Sequence, residues 1–369
     1  MLVKFVSLLV VVDTKVLLDF NVRNYLLKRR TMKMNDKNPI EQAQIGYHYD
    51  DLLIRPIRSS INSRSDVDIS TTLLPNVTLK IPIIAAPMSS ICETKMCIRM
   101  YQMGALGILH RFASVEYLLS CMKEIRKEVP QTHAAFAVGI KPEDHTLLEK
   151  LAPLAGIVCV DTNIGHHDKT IKTIKYIRDN YPHLQIIAGN VSTYEGSYDL
   201  CQAGADCIRA TNGGGSACIT WNVTGTGVPP ATALWECCQA AKEFGKTVIA
   251  DGGLKDAGSM VKAIALGADA CMIGGLIAGS SWCPESAFYE ENDLFKARYY
   301  GMASEEAQRL RGGLKPGTAA EGVSKSIPVK GKTRRIIERL AGGIRSGCSF
   351  CNARNLAELR KNARFVRRK

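Results

Sequence analysis

The chain has 369 residues, of which 46% are hydrophobic and 22% charged, with 31 glycines. This length and composition allow one large core, which excludes an intrinsically disordered protein. The formal net charge of +13 raises the class of nucleic-acid-binding proteins. Much of the excess lies in two terminal runs, LLKRR (26–30) and ELRKNARFVRRK (358–369), which lack a series of interleaved aromatic side chains. Such runs are typical of solvated tails, so we expect no nucleic-acid partner.

The N-terminal segment opens with the apolar run FVSLLVVV (5–12). Charged residues follow at once and no small-residue cleavage pattern stands behind it, so neither a secretory signal nor a membrane span is favoured. A start at Met32 or Met34 would make the segment an upstream extension. We predict a partly disordered N-terminal extension over 1–45, a catalytic domain over 46–369, and a cytoplasmic protein with no membrane partner.

Thirteen cysteines are distributed along the chain without the paired spacing of a metal site. Cys237 and Cys238 are adjacent, and Cys348 and Cys351 form an isolated CxxC. This pattern favours reduced thiols over a disulfide framework.

Short apolar runs that end in a Gly, Asn or Asp turn, each followed by a stretch of helical length, fill the middle of the chain. In order they are IPIIAAPM (81–88), ALGILH (105–110), HAAFAVGI (133–140), GIVCVDTN (156–163), LQIIAGN (184–190), DCIRATN (206–212), TVIADGG (247–253) and ACMIGG (270–275). Continuous apolar runs that alternate with helices indicate parallel strands buried on both faces. Eight such units predict an α/β protein with a single-domain TIM (β/α)₈ barrel.

The active site of such a barrel lies at the carboxyl ends of its strands. The loop GGGSACITW (213–221) follows the sixth strand, so Cys218 is predicted to face the mouth. The alternative for this loop is a flexible turn around a small buried cysteine. Asp161, Asn190 and Asp251 end the fourth, fifth and seventh strands at the same face. Glycines after the seventh and eighth strands offer bare N–H groups to a phosphate. They are Gly252, Gly253, Gly274 and Gly275.

Collinear segments from about Tyr49 to Arg368 resemble the IMP dehydrogenase and GMP reductase family. They are YDDLLIRP (49–56), AAPM (85–88), GILHR (107–111), AGNVST (188–193), AGAD (203–206), GSACIT (215–220), ADGG (250–253), GADACMIGGLIAG (267–279), YYGMAS (299–304) and GGIRSG (342–347). Each segment alone is a weak signal, but their common order is specific.

The resemblance implies a purine nucleotide across the barrel mouth, with its C2 against Cys218 as the nucleophile. It implies that Asp251 binds the ribose and that Asp161 and Asn190 lie beside the nicotinamide of the cofactor. It assigns the 5′-phosphate to Ser216, Gly253 and Gly275. The other substrate-binding residues that it implies are Met88, Gly252, Gly274, Tyr300, Gly301 and Met302. Family members bind a monovalent cation such as K⁺ at carbonyls that match Gly213, Gly215 and Cys218.

Several features favour the reductase branch of this family. Only one helix-length segment separates His110 from the third strand, which leaves no room for the CBS insertion of the dehydrogenases. The flap around 302–330 lacks the Arg-Tyr pair of a dehydrogenase, while MIGGLIAG (272–279) and AAEG (319–322) resemble reductases. The resemblance therefore implies NADPH-dependent reductive deamination of GMP to IMP and ammonia by a homotetramer. The alternatives are an IMP dehydrogenase that uses NAD and a non-catalytic barrel that binds purine nucleotides.

Release of ammonia from C2 needs a positioned acid. Thr220 and Glu305, which directly follows the GMAS turn, are predicted to form the pair that supplies this proton. The alternative is that Glu305 only begins the next helix, where the helix dipole favours a carboxylate in any protein.

The chain also departs from the family pattern at several positions. ATN (210–212) replaces VGI ahead of the glycines, Trp221 replaces an arginine, Pro230 a glutamine, and Ser89 an aspartate.

Overall fold

The computed structural model describes residues 42–292, 294–309 and 313–368. The predicted extension and its apolar run therefore lie outside the described residues, apart from 42–45. Residues 46–369 form one compact unit. Among the described residues, no helix is long and apolar enough to cross a bilayer.

The strands of the described chain are β1 (Leu52–Ile54), β2 (Thr71–Leu74), β3 (Val77–Leu79), β4 (Ile83–Ala85), β5 (Leu106–Leu109), β6 (Ala135–Val138), β7 (Ile157–Asp161), β8 (Gln185–Val191), β9 (Cys207–Ala210), β10 (Thr247–Asp251), β11 (Ala270–Ile273), β12 (Phe288–Glu291), β13 (Leu294–Tyr300), β14 (Ser324–Pro328) and β15 (Phe365–Arg367). The α-helices are α1 (Thr94–Gln102), α2 (Val115–Glu128), α3 (Asp144–Leu151), α4 (Asp168–Asn180), α5 (Tyr194–Gln202), α6 (Thr220–Thr224), α7 (Pro230–Glu243), α8 (Ala257–Leu266), α9 (Glu305–Arg309), α10 (Thr333–Phe350) and α11 (Leu356–Asn362).

Strands β4 to β11 close into a parallel barrel in which each strand pairs with its neighbours in sequence and β11 returns to β4. Each of the eight apolar runs coincides with one of these strands to within one residue or overlaps it fully, which confirms the predicted (β/α)₈ barrel. The connection from β5 to β6 holds α2 and a short 3₁₀ turn, with no inserted domain. The barrel is therefore a single domain.

The side-chain alternation of the strands decides which groups reach the barrel mouth. In β7, Ile157 and Cys159 belong to the interior cluster, while Val158 and Val160 pack towards the helices. Because side chains alternate with a period of two, Asp161 continues the interior row at the carboxyl end. Arg209 follows Cys207 in β9 in the same way, and Asp251 follows Ile249 in β10. Three charged side chains thus converge at the top of an apolar interior.

The opposite end of the barrel is closed by the β2–β3 hairpin. Its turn residue Asn76 has φ 65°, a left-handed conformation that asparagine tolerates. Leu73, Leu74, Val77 and Leu79 belong to the same apolar cluster as the barrel interior. This end is packed, so the space for a ligand lies at the carboxyl ends of the strands.

Candidate active site

A cavity of about 520 Å³ opens at the carboxyl ends of the barrel strands. The predicted site residues that line it are Met88, Asp161, Asn190, Gly213, Gly215, Ser216, Cys218, Asp251, Gly252, Gly253, Gly274, Gly275, Gly301 and Met302. Thr220, Tyr300 and Glu305 are not part of the lining. The volume lies within the range of small-molecule and cofactor sites.

Cys218 differs from the other cysteines of the chain in its exposure. It is half-buried and lines the cavity, whereas the other twelve cysteines are buried. Burial raises the pKa of the Cys159 and Cys271 thiols to about 12, which keeps these two protonated at neutral pH. Only a thiolate is a strong nucleophile, and it must also be reachable. Cys218 thus lies at the barrel mouth, and its role as the nucleophile stays a prediction.

Cys218, Thr220 and Glu321 form a hydrogen-bonded series that we call the thiol relay. The Cys218 Sγ lies 3.1 Å from the Thr220 Oγ1, and that hydroxyl donates to the Glu321 Oε2 at 3.0 Å. Because the Thr220 hydroxyl proton is directed at the carboxylate, its oxygen is free to accept the thiol proton. The relay is a route for a proton between the thiol and the carboxylate.

Backbone pairing brings Glu321 to this position. The segment 321–323 runs antiparallel to 217–219, with the Ile219 N–H donating to the Glu321 O at 2.9 Å and the Val323 N–H donating to the Ala217 O at 2.9 Å. Gly322 fits between the two neighbouring segments because a Cβ there would lie 2.9 Å from the Ser304 N and 3.2 Å from the Ala217 O. This close approach fixes the register and holds the Glu321 side chain against Thr220.

The predicted pairing of Thr220 with Glu305 is corrected by this geometry. Glu305 is the first residue of α9, and the preceding Ser304 accepts the Ala307 N–H with its Oγ at 3.2 Å, as a helix cap does. A carboxylate in the first helical turn is favoured by the helix dipole. The glutamate that contacts Thr220 is Glu321, which lies in the AAEG segment that resembled reductases.

Five residues form a charged and polar layer beneath the cavity, which we call the floor network: Arg111, Asp161, Asn190, Arg209 and Asp251. The Arg209 Nη1 donates to the Asp161 Oδ1 at 2.5 Å, and its Nε donates to the Asp251 Oδ2 at 2.7 Å. The Arg111 Nε donates to the Asp161 Oδ2 at 3.2 Å, and the Asn190 Nδ2 donates to the Asp251 Oδ2 at 2.8 Å. The network joins the ends of four barrel strands and the loop after β5.

The floor network keeps Asp161 and Arg209 charged. Burial alone would raise the pKa of Asp161, but Arg209 and Arg111 outweigh it and hold this pKa below its ordinary value of 3.8. Burial would likewise lower the pKa of Arg209, but Asp251 and Asp161 outweigh it and raise this pKa well above its ordinary value. Sequence reasoning did not assign Arg209, although its place in the interior row of β9 was a readable signal.

Ser216, Gly275 and Tyr299 form one wall of the cavity at the predicted phosphate position. The Ser216 Oγ and the Tyr299 OH lie 3.1 Å apart. A Cβ on Gly275 would lie 2.4 Å from the Ser216 Oγ and 3.4 Å from the Tyr299 OH, so only glycine leaves this space open. Two hydroxyls beside a bare backbone suit the oxygens of a phosphate. Tyr299 is a lining residue that the sequence analysis missed.

Two predicted substrate-binding residues make contacts other than those expected. Gly253 lines the cavity, but its N–H donates to the Gly214 O at 2.7 Å and so ties two loops together. The Tyr300 OH lies 3.1 Å from the Ser89 Oγ, while its neighbour Tyr299 lines the cavity. Successive side chains of β13 point to opposite faces, so Tyr299 reaches the cavity and Tyr300 does not.

A second cavity of about 430 Å³ shares Asn163, Ala303 and Glu321 with the first. It is also lined by Lys141, Gln308, Lys315 and Thr318. Ammonium groups in a cavity that adjoins the thiol relay suit the phosphates of a dinucleotide. The residues present therefore fit the nicotinamide cofactor that the sequence resemblance implies.

The carbonyl groups of the predicted cation site lie in the loop before Cys218. The Gly215 O accepts the Cys218 N–H at 3.0 Å, which curls the loop around its own backbone. The role of Gly213, Gly215 and Cys218 in holding a monovalent cation stays a prediction.

Fold and site together define a class: a β/α barrel with a nucleotide-sized cavity, a reachable thiol and a neighbouring carboxylate. The chain matches the family model described as IMP dehydrogenase / GMP reductase domain over residues 46–369. It therefore belongs to the IMP dehydrogenase / GMP reductase family.

Relatives in both branches of this family are similar to the chain. GMP reductase 1 of Mus musculus is 32% identical over 337 residues, which cover 89% of this chain and 97% of that protein. Inosine-5′-monophosphate dehydrogenase of Aquifex aeolicus is 36% identical over 296 residues, which cover 74% of this chain and 59% of that protein. A solved structure of a GMP reductase variant from Trypanosoma brucei, in complex with guanosine 5′-monophosphate, has a TM-score of 0.84 at 25% identity, covering 90% of this chain and 97% of that chain.

Proposed function

We propose that this protein is an NADPH-dependent GMP reductase, which converts GMP to IMP and ammonia through a covalent bond between Cys218 and the purine C2. The observation that carries the proposal is the thiol relay at the edge of a nucleotide-sized cavity. The similarity to GMP reductases over nearly their full length supports the same substrate class.

The thiol relay accounts for the deamination step with atoms in balance. Cys218 loses its proton through Thr220 to Glu321, and the Sγ bonds to C2 of GMP. The bond from C2 to the exocyclic nitrogen then breaks, and the same proton returns from Glu321 through Thr220 to the departing nitrogen, which leaves as ammonia. An amine leaves poorly as an anion, so a positioned acid contributes about 10²–10⁴-fold to such a step.

The second half of the reaction replaces the sulfur at C2 by hydrogen. NADPH supplies a hydride there when it is bound. The sulfur leaves C2 as the Cys218 thiolate when IMP forms, and this thiolate takes up a new proton from the solvent. In this step the residues around the second cavity, Lys141 and Lys315 among them, hold the phosphates of the cofactor while the floor network keeps its shape.

Binding of the substrate is divided between two walls of the cavity. Ser216, Tyr299 and the bare backbone of Gly275 hold the 5′-phosphate, and Asp251 accepts the ribose hydroxyls while Arg209 and Asn190 fix its carboxylate. Met88 and Met302, which both line the cavity, enclose the base. This arrangement presents C2 to the Cys218 thiol.

The test is steady-state absorbance at 340 nm with each nucleotide and each cofactor. Consumption of NADPH that depends on GMP, with ammonia released in equal amount, is the expected result. Production of NADH from NAD with IMP would instead assign the chain to the dehydrogenase branch. Absence of turnover in every combination, together with calorimetric binding of GMP, would contradict an enzymatic role and favour a nucleotide-binding barrel.

A further inference from the structure

Trp221 lies in α6, directly after Thr220, at a position where the family pattern has an arginine. It is not among the residues that line the cavity. Its indole Nε1 donates to the Asn212 O at 2.9 Å. The indole covers two glycines, because a Cβ on Gly213 would lie 1.9 Å from the Nε1 and a Cβ on Gly227 would lie 2.1 Å from it. The His48 ring contacts the indole edge to face, with ring centroids 5.7 Å apart. The indole is thus fitted against bare backbone.

Asn212, the partner of the indole, is also a departure from the family pattern, and it continues the series of contacts. Its Nδ2 donates to the Asn163 O at 2.5 Å, and the Asn163 Nδ2 donates to the Glu321 Oε2 at 2.8 Å. Glu321 accepts from Thr220, the residue directly before Trp221. These contacts close a ring from Trp221 through Asn212, Asn163, Glu321 and Thr220 back to Trp221.

The loop held by this ring is not in a relaxed conformation. Thr211 has φ 87°, a left-handed value that is rare for a β-branched residue. Such a conformation persists only where the surrounding structure determines it. The indole contact begins at the next residue, Asn212, so it is placed to hold the loop in this form.

We propose that Trp221 and Asn212 are a coupled pair of positioning residues that aim the Glu321 carboxylate at Thr220. Neither residue donates a proton in the reaction. The ring fixes Glu321 through Asn163, whose Nδ2 donates to the same Oε2 that accepts from Thr220, and fixes the loop that carries Cys218. The expected effect on deamination rests on the proposed function. The expected effect on the loop's conformation rests on the hydrogen bonds alone.

The kinetic test compares Trp221→Phe, which keeps a ring and removes the donor, with Trp235→Phe at an exposed tryptophan of α7. Loss of one such hydrogen bond is expected to slow GMP deamination about 3- to 10-fold. The GMP dissociation constant should stay within about twofold, and hydride exchange between IMP and the cofactor at about pH 8.5 should be unchanged, because neither uses the aim of Glu321. Trp235→Phe should match the wild type. Equal losses in deamination and hydride exchange, or equal effects of the two substitutions, would overturn the proposal.

Asn212→Ala gives a second, independent variant, since it removes the Nδ2 donor and leaves the backbone carbonyl in place. Because both residues act through one ring, the double variant should lose little more deamination rate than the more affected single variant. Independent losses that multiply would contradict the coupling.

A structural measurement separates failure of this inference from failure of the proposed function. Hydrogen exchange followed by mass spectrometry should show faster amide exchange in 211–220 and 319–323 for Trp221→Phe, and no change there for Trp235→Phe. This result is expected even if the wild type consumes no NADPH with GMP. Unchanged exchange in both segments would overturn the inference whatever the enzyme's activity.

Discussion

The floor network and the thiol relay lie at the same barrel mouth but are built in opposite ways. The floor network is made of four charged side chains and the Asn190 amide, which are largely buried and paired on several sides, with Arg209 between two carboxylates. The thiol relay consists of a thiol, a hydroxyl and one carboxylate on loops and a short helix, with Cys218 half-exposed. Charged side chains that are paired with each other keep their positions, whereas a thiol, a hydroxyl and a carboxylate in hydrogen-bond contact can pass a proton between them. In the proposed mechanism the floor network holds the geometry and the thiol relay carries out the chemistry.

The largest expected effect comes from removing the nucleophile of the thiol relay. Cys218→Ala should reduce turnover by more than about 10⁴-fold, because it removes the group proposed to bond to C2. GMP binding measured by calorimetry should be largely retained, since the phosphate and ribose contacts lie elsewhere. Cys351→Ala, at a buried cysteine away from the cavity, is the matched control and should keep its activity. Appreciable turnover by Cys218→Ala would remove this thiol from the mechanism.

The floor network should show its role in stability more than in chemistry. Arg209→Met leaves the Asp161 and Asp251 carboxylates buried without their shared cation and should lower the free energy of unfolding by about 3–5 kcal/mol. Arg334→Met, at an exposed arginine of α10, should change it by less than about 0.5 kcal/mol. Denaturant unfolding measures both. If the two substitutions lower the free energy of unfolding equally, the floor network does not stabilise the barrel mouth.

The cavity wall of Ser216, Gly275 and Tyr299, which is the proposed phosphate site, should respond mainly in affinity. Gly275→Ala places a methyl group against the Ser216 Oγ and should raise the KM for GMP by about 10-fold or more, through lost hydrogen bonds to a charged group. Gly342→Ala, where a Cβ meets no atom within 4 Å, is the control. Guanosine, which lacks the phosphate, should bind more weakly than GMP to the wild type. If guanosine binds the wild type as tightly as GMP does, and Gly275→Ala binds guanosine equally well, the phosphate position is wrong.

The smallest expected effect is an acid dependence that belongs to the floor network. The pKa of Asp161 is lowered because the two arginines outweigh its burial. A lowered pKa in the folded state stabilises the protein above the unfolded value of 3.8, and this contribution is lost as the pH falls through the lower folded value. In Asp161→Asn the free energy of unfolding should therefore fall less steeply with decreasing pH below about pH 4 than in the wild type. An unchanged acid-unfolding curve would show that Asp161 is not held in this way.

The sequence predicted the floor better than the relay, for a physical reason. The alternation along buried strands places Asp161 and Asp251 at the mouth, and the apolar runs mark the strands themselves. Glu321 could not be placed by such a pattern, because its position depends on how 321–323 pairs with 217–219 across a hundred residues of chain. Glu305 was chosen because it directly follows the GMAS turn, but a carboxylate there also favours the start of a helix, which is where the structure has it. The sequence analysis named Tyr300 and not its neighbour Tyr299, which lines the cavity, because a shift of one residue in a strand reverses the face of the side chain.

The most direct measurement of the central claim separates the two halves of the reaction in Glu321→Gln and Glu305→Gln. Deamination is followed by ammonia release from GMP, and hydride transfer by deuterium exchange between C2 of IMP and the nicotinamide at about pH 8.5, where a free thiol ionises without help. We expect Glu321→Gln to slow deamination by at least about 10²-fold while exchange continues, and Glu305→Gln to leave both rates unchanged. Loss of deamination in Glu305→Gln with an active Glu321→Gln, or equal loss of both steps in Glu321→Gln, would contradict the thiol relay.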